Sequence, residues 1–212
     1  MYKVLVFGIT ENPGGVEAFL VNYYRKIDRT KIQFDFLCNT HNKVAYENEL
    51  KSLGGQVIHI AMRSKEPIKY RQELKQFMEQ HASEYQAVWV NVCSLGNIDY
   101  LKVAKKYGIQ KRIIHSHNSQ NMDNRIRKIL HMINRRKIDQ YATDFWACSD
   151  DAAKWFYKDA LQSKVVIIKN AIELENVGFS KEKREVLRKK YGISDKFVIG
   201  NVGRLHFQKN QM

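Results

Sequence analysis

The 212-residue chain predicts an α/β fold, a doubly wound and mostly parallel sheet with helices on both faces. Three observations predict it. Short β-branched runs alternate with longer stretches of helical period along nearly the whole chain, the order that builds βαβ units. Only two prolines interrupt that alternation. The apolar fraction is 44%, enough for a packed core and too high for wholesale disorder.

In chain order the strand candidates are YKVLVF (2–7), IQFDFLC (32–38), QVIHI (56–60), AVWVNV (87–92), RIIHS (112–116), DFWACS (144–149), KVVIIK (164–169) and FVIGNV (197–202). Between them, 15–27 gathers Val16, Phe19, Leu20 and Tyr23 on one helical face. The stretch 68–78 does the same with Ile68, Leu74, Phe77 and Met78, and 95–107 with Leu95, Ile98, Leu101 and Val103. Gly108 stops the last of these, and Gly54-Gly55 precede the QVIHI strand as a helix stop. In such a Rossmann-like sheet, ligands bind outside the carboxyl ends of the strands, where the strand order reverses. The segments to watch are therefore 8–15, Asn39-Thr40, Ser94, 115–119, Ser149-Asp150 and Asn170. Further on, SKEKREVLRKK (180–190) reads as a solvated helix with Tyr191-Gly192 as its stop. The expected organisation is one domain over 1–178, a charged linker helix over 179–195, and the first strand and loop of another domain over 196–212.

Charge and cysteine usage narrow the classes. The 36 Lys and Arg outnumber 22 Asp and Glu by 14, which favours an anionic partner: nucleic acid, a phosphorylated small molecule or the inner leaflet of a membrane. No run of eighteen or more apolar residues and no signal-peptide pattern is present, so a cytoplasmic protein is expected. Cys38, Cys93 and Cys148 are odd in number and form no C-x-x-C pair, which favours reduced, mostly buried thiols over disulfides or a structural metal.

Three segments could carry chemistry. The loop ITENPGGVEAF (9–19) enters a helix with paired glycines; it either lets the backbone approach an anion such as a diphosphate or is simply a tight strand-to-helix turn. It matches neither G-x-G-x-x-G nor the P-loop pattern. In HSHNSQN (115–121), His115 and His117 point the same way on a strand that leaves the sheet at the expected crevice. With no carboxylate or third histidine beside them, metal binding is a poor reading. An imidazole near an anionic leaving group or a sugar hydroxyl is the functional alternative to a merely hydrogen-bonded pair. In DNRIRKILHMINRRK (123–137), Ile126, Ile129, Leu130 and Ile133 share one helical face, while Arg125, Arg127, Lys128, Arg135, Arg136 and Lys137 crowd the rest. This is either an anionic-membrane or phosphorylated-acceptor surface, or a covering helix with a solvated side. No RNP, KH, zinc-finger or helix-turn-helix pattern supports nucleic acid as a partner.

Taken in order, P-G-G-V-E, R-I-I-H-S-H-N-S, F-W-A-C-S-D-D-A-A-K, V-V-I-I-K-N-A-I-E and V-G-R-L-x-x-Q-K-N resemble glycosyltransferase family 4, in particular bacterial capsular and exopolysaccharide enzymes. The resemblance implies a GT-B architecture of two Rossmann-like domains and transfer of a sugar from a nucleotide-diphosphate donor with retention, without a metal or other cofactor. It implies that Gly14 and Gly15 approach the donor diphosphate and that His117 lies at the donor sugar and reaction centre. His115, Asn118 and Ser119 would then line the acceptor space, and Arg204 and Lys209 would neutralise the leaving diphosphate. The family's N-G after the seventh strand is Asn170-Ala171 here, and its paired glutamates have no counterpart in this sequence. The resemblance therefore implies an acceptor-side, N-terminal half, with a saccharide or lipid-linked acceptor, that is inactive by itself. A non-catalytic module binding an anionic lipid or phosphorylated ligand is the competing reading. A dehydrogenase is disfavoured because no acidic residue closes the second strand, which ends in Cys38-Asn39.

Overall fold

The computed structural model describes residues 1–120, 125–172 and 177–203. The chain divides into two compact units, Met1–Ala171 and Ile172–Met212. The strands of the first unit are β1 (Tyr2–Phe7), β2 (Ile32–Cys38), β3 (Val57–His59), β4 (Ala87–Val92), β5 (Lys111–Ser116), β6 (Asp144–Ala147) and β7 (Val165–Ile167). They form one sheet in the order β3-β2-β1-β4-β5-β6-β7, every pair parallel. The order reverses between β1 and β4, which places a ligand crevice beyond their carboxyl ends.

The central strands are apolar along their length because both their faces are covered. Leu5, Phe7, Val88, Val90 and Ile114 face a core built with α3 (Pro67–His81), α4 (Asp99–Lys106) and α6 (Asp150–Phe156). Val4, Val6, Trp89 and Ile113 face the other side, packed with Phe19, Leu20, Val21 and Tyr24 of α1 (Gly15–Lys26) and Leu50 of α2 (Glu47–Ser52). This division follows from right-handed crossovers: connections running from β1 toward β3 lie on one face, those from β3 toward β7 on the other. An apolar cavity of about 310 Å³ lies on the α1 face between Tyr23, Trp89, Trp146 and Ile168. Its lining includes Tyr2, Ile32 and Lys111, which begin β1, β2 and β5, so it opens at the amino ends of the strands, away from the crevice.

Several elements differ from the sequence reading. On α1 it is Tyr24 that is fully buried, while Tyr23 is half-buried. Ile68 is exposed on the first turn of α3, before that helix reaches the sheet. Leu95 and Ile98 are buried, but ahead of α4, in the loop that brings the chain back to the sheet. Cys93 is exposed, unlike Cys38, whose thiol burial pushes up to about 12. The largest departure is α5 (Arg125–Lys137). Of the face shared by Ile126, Ile129, Leu130 and Ile133, which a covering helix would turn inward, the three isoleucines are exposed and Leu130 is half-buried, and Met132 beside them is exposed as well. The helix turns His131 inward instead, stacked on Trp155 at 4.3 Å and accepting a hydrogen bond from the Leu95 N–H at Nδ1.

In the second unit the charged segment forms α7 (Lys181–Lys190), which starts at Ser180, whose hydroxyl accepts from the Lys183 N–H, and buries none of its residues. The expected strand at 197–202 does not form. Phe197, Ile199 and Val202 are almost fully exposed, and no strand among the described residues pairs with them. A lone apolar strand has nothing to satisfy its backbone.

Candidate active site

Three strand ends meet at the reversal point. β1 ends at Phe7 and turns through Gly8, whose φ is +132°, a conformation L side chains rarely adopt. A Cβ there would stand 2.7 Å from the Asn91 Cβ and 2.9 Å from the Asn91 carbonyl oxygen. Asn91, on β4, is buried and donates from Nδ2 to the Phe7 carbonyl at 3.1 Å. Its Oδ1 lies 2.9 Å from His117 Nε2. His117 sits one residue past β5, and its N–H is held by the Val92 carbonyl at 3.1 Å. Phe19 of α1 meets the His117 ring edge-on at 4.9 Å. Gly8, Asn91, His117 and Phe19 thus meet where the strand order reverses, the place at which this kind of sheet binds its ligands.

His115 lies behind these residues. It is fully buried against Phe19, Trp89 and Trp146, with its ring 4.2 Å from that of His117, and among the described residues neither ring nitrogen has a hydrogen-bond partner. The expectation that His115 touches an acceptor is therefore corrected: its side chain belongs to the core and supports His117. Burial pushes His117 down to about 4. Burial, with a smaller push from His117, takes His115 down to about 2. Both rings are neutral near pH 7, so His117 offers hydrogen bonding rather than charge. Asn118 is half-buried and Ser119 exposed beyond it. They are turned into their own loop, Asn118 Nδ2 donating to the Gln120 carbonyl and the Ser119 N–H to Asn118 Oδ1.

The glycine loop is built around a carboxylate. Glu17, buried in the first turn of α1, accepts from the Gly14 N–H at 3.1 Å and from the Thr10 hydroxyl at 2.6 Å. It fills one of the orphan donor positions at the helix start and complements the dipole. The Gly14 N–H is therefore taken, and a side chain at Gly14 would press on the Glu17 carboxylate at 2.8 Å. At Gly15 an added Cβ would meet nothing within 4 Å, so packing does not require that glycine. Glu11 ties the loop to the one after β2, accepting from Thr40 at 2.6 Å and Asn42 at 3.2 Å, bonds that hold its carboxyl below the usual range.

Of the six basic positions of α5, Arg125, Lys128, Arg136 and Lys137 are exposed on the helix surface. Arg127, also exposed, lies with its stem beside Gly96. Arg135 is corrected: its guanidinium donates to the carbonyls of Lys154 and Tyr157 at the end of α6, so it acts as an internal strut. Arg204 and Lys209 fall outside the described residues. Among those described, no group of three or more His, Cys, Asp or Glu side chains is placed to hold a metal.

Sequence reasoning missed Asn91 and Glu17, and it marked Gly8 only as the first residue of the 8–15 segment, not as the neighbour of Asn91. Asn91 carried a signal, as the one polar residue in the apolar run AVWVNV, next to the strand end where ligands bind.

No family model matches the chain. The Bacillus subtilis (strain 168) protein named "Putative glycosyltransferase EpsF" is 28% identical over 208 residues, covering 94% of this chain and 53% of that protein. Anabaena HepE in complex with UDP matches at a TM-score of 0.71 and 16% identity, over 100% of this chain and 55% of that one. A glycosyltransferase from Rickettsia africae ESF-5 matches at 0.61 and 15%, over 91% and 50%. The chain spans about half the length of each. In fold and sequence it is similar to GT-B glycosyltransferases, in keeping with the exopolysaccharide type.

Proposed function

We propose that this chain is the N-terminal, acceptor-side half of a retaining GT-B glycosyltransferase. It acts at the cytoplasmic face of the membrane on a cell-surface polysaccharide or lipid-linked acceptor. The observation that carries the reading is the alignment of 94% of the chain with one half of a relative described as a glycosyltransferase. The crevice at the strand reversal, where Asn91 and His117 meet, supports it. HepE is described in complexes with UDP, with UDP and glucose, and with UDP-glucose, so a UDP-sugar is the first donor to test.

The transfer breaks the anomeric C–O bond to the diphosphate and joins that carbon to an acceptor hydroxyl oxygen, the hydroxyl proton passing to an oxygen of the departing diphosphate. Neutral His117 contributes a hydrogen bond at the sugar. Charge on the departing diphosphate falls to cationic groups, Arg204 and Lys209 in this reading. Both need a rigid second domain to hold them, because a loosely held site loses most of its effect. The 212-residue chain alone is accordingly expected to turn over no nucleotide sugar above background, while binding UDP weakly at the crevice. Robust transfer by the chain alone would contradict the half-site reading.

One observation favours an added membrane contact. The exposed face of α5 combines Ile126, Ile129, Met132 and Ile133 with Arg125, Lys128 and Arg136, and no acidic residue occurs from 124 to 138. Apolar side chains dipping below a ring of cations suit an anionic lipid surface, which would bring a lipid-linked acceptor toward the crevice. Sedimentation with phosphatidylglycerol vesicles, weakened by salt and by Ile129→Glu, is the expected result. Equal binding to neutral vesicles would contradict it.

A further inference from the structure

We infer that Asn91 is a positioning residue that locks His117 in one tautomer, with the proton on Nε2 and a bare Nδ1 presented to the crevice. The argument begins at the Asn91 amide. Its Nδ2 lies 3.1 Å from the Phe7 carbonyl and 3.4 Å from the Trp89 carbonyl. Carbonyls only accept, so the NH₂ group must face them and Oδ1 must face His117. An amide oxygen also only accepts. The 2.9 Å contact is therefore a bond that Nε2–H donates, and in a neutral ring the other nitrogen is then an acceptor.

Each part of this relay is fixed from behind. Gly8 leaves room for Asn91, since any side chain there would collide with its Cβ and carbonyl oxygen. His115 and Phe19 hold the plane of the His117 ring. Among the described residues Nδ1 of His117 has no hydrogen-bond partner. The nitrogen left over suits a hydroxyl O–H and is unsuited to a phosphate oxygen, which offers no proton. His117 thus selects a hydroxyl-bearing group, and it is Asn91, outside direct contact with that group, that sets the selection. That this hydroxyl belongs to a sugar rests on the transferase reading; the tautomer lock does not.

The test is long-range ¹H–¹⁵N correlation spectroscopy of the ligand-free 212-residue chain carrying ¹⁵N-histidine. Wild-type His117 should show a protonated Nε2 and a bare Nδ1 throughout pH 5.5–8. In Asn91→Leu the Nε2–H loses its buried acceptor, and the Nδ1–H form should gain roughly tenfold in relative population. In Asn91→Asp the proton should stay on Nε2 while a carboxylate alongside raises the His117 titration midpoint by about one to three pH units. His131, held on α5, reports in the same spectra whether a variant has kept its fold. A wild-type His117 with its proton on Nδ1, or charged at pH 7, overturns the inference without any variant. So does an Asn91→Leu chain with His131 unmoved and the His117 tautomer unchanged. Adding UDP-glucose then separates the two readings: a lock with no sugar bound would defeat the transferase assignment and leave the lock standing.

Discussion

Gly8 offers the sharpest perturbation of the site, because its replacement can be worked from distances. In Gly8→Ala the new Cβ would sit 2.7 Å from the Asn91 Cβ and 2.9 Å from its carbonyl oxygen, on a backbone at φ +132°. The backbone conformation alone costs a non-glycine residue about 1–3 kcal/mol. The overlap is with strand backbone and a Cβ, neither able to swing away, and overpacking of that kind adds about 1–3 kcal/mol. A loss of about 3–4 kcal/mol is expected, out of a total on the order of 5–15 kcal/mol. With a urea dependence of about 2 kcal/mol per molar, the midpoint should fall by about 1.5–2 M. Gly15→Ala is the control. Its Cβ meets nothing, and at the first turn of α1 alanine favours the helix, so stability should be unchanged or rise by up to about 1 kcal/mol. Urea denaturation followed by circular dichroism measures both. A Gly8→Ala midpoint within about 0.3 M of wild type would refute the argument that this turn is built around Asn91.

Two further outcomes follow from the same geometry. His117 and His115 titrate far below the ordinary histidine value when folded, so between pH 6.5 and 4 the unfolded chain binds more protons, and stability must fall as the pH falls. Each histidine contributes about 0.7 kcal/mol per pH unit at pH 6.5, rising toward about 1.4 near pH 5.5, before most carboxylates titrate. His115→Phe should roughly halve the slope measured between pH 6.5 and 5, and an unchanged slope would show that His115 is not the buried neutral ring described. On α5, Arg135→Ala should cost about 1–3 kcal/mol, because the carbonyls of Lys154 and Tyr157 lose their donor, and should leave vesicle binding nearly intact. Arg136→Ala should do the reverse, weakening lipid binding with stability within about 0.5 kcal/mol of wild type; matching effects in the two variants would refute the division.

Much of the sheet was legible because its strands are covered on both sides. The limits of 2–7, 32–38 and 87–92 coincide with β1, β2 and β4, where apolar runs are bounded by polar turns. The orientation of α5 was not legible. Helical period identifies that Ile126, Ile129 and Ile133 share a face but not which way the face points. His131 wins the inner position by stacking on Trp155 and accepting from Leu95, partners 24 and 36 residues away in the chain. The stretch 197–202 has a strand's composition, yet a strand exists only where another supplies its hydrogen bonds. At the site, the HSHNS motif marked His117, but only the fold reveals that His115 is interior and that Asn91 and Gly8 stand next to His117. Those neighbours come from β1, β4 and β5, and pairing between strands far apart in sequence leaves no local mark.

The central claim is that the crevice past β1, β4 and β5 is one wall of a nucleotide-sugar transfer site. Chemical-shift mapping of the ¹⁵N-labelled 212-residue chain titrated with UDP-glucose tests it most directly. Shifts should cluster at Gly14, Gly15, His117, Asn118 and Ser119 and weaken in His117→Ala. Saturating shifts confined to residues elsewhere, such as the cavity at the amino ends of the strands, or none at millimolar ligand, would contradict it.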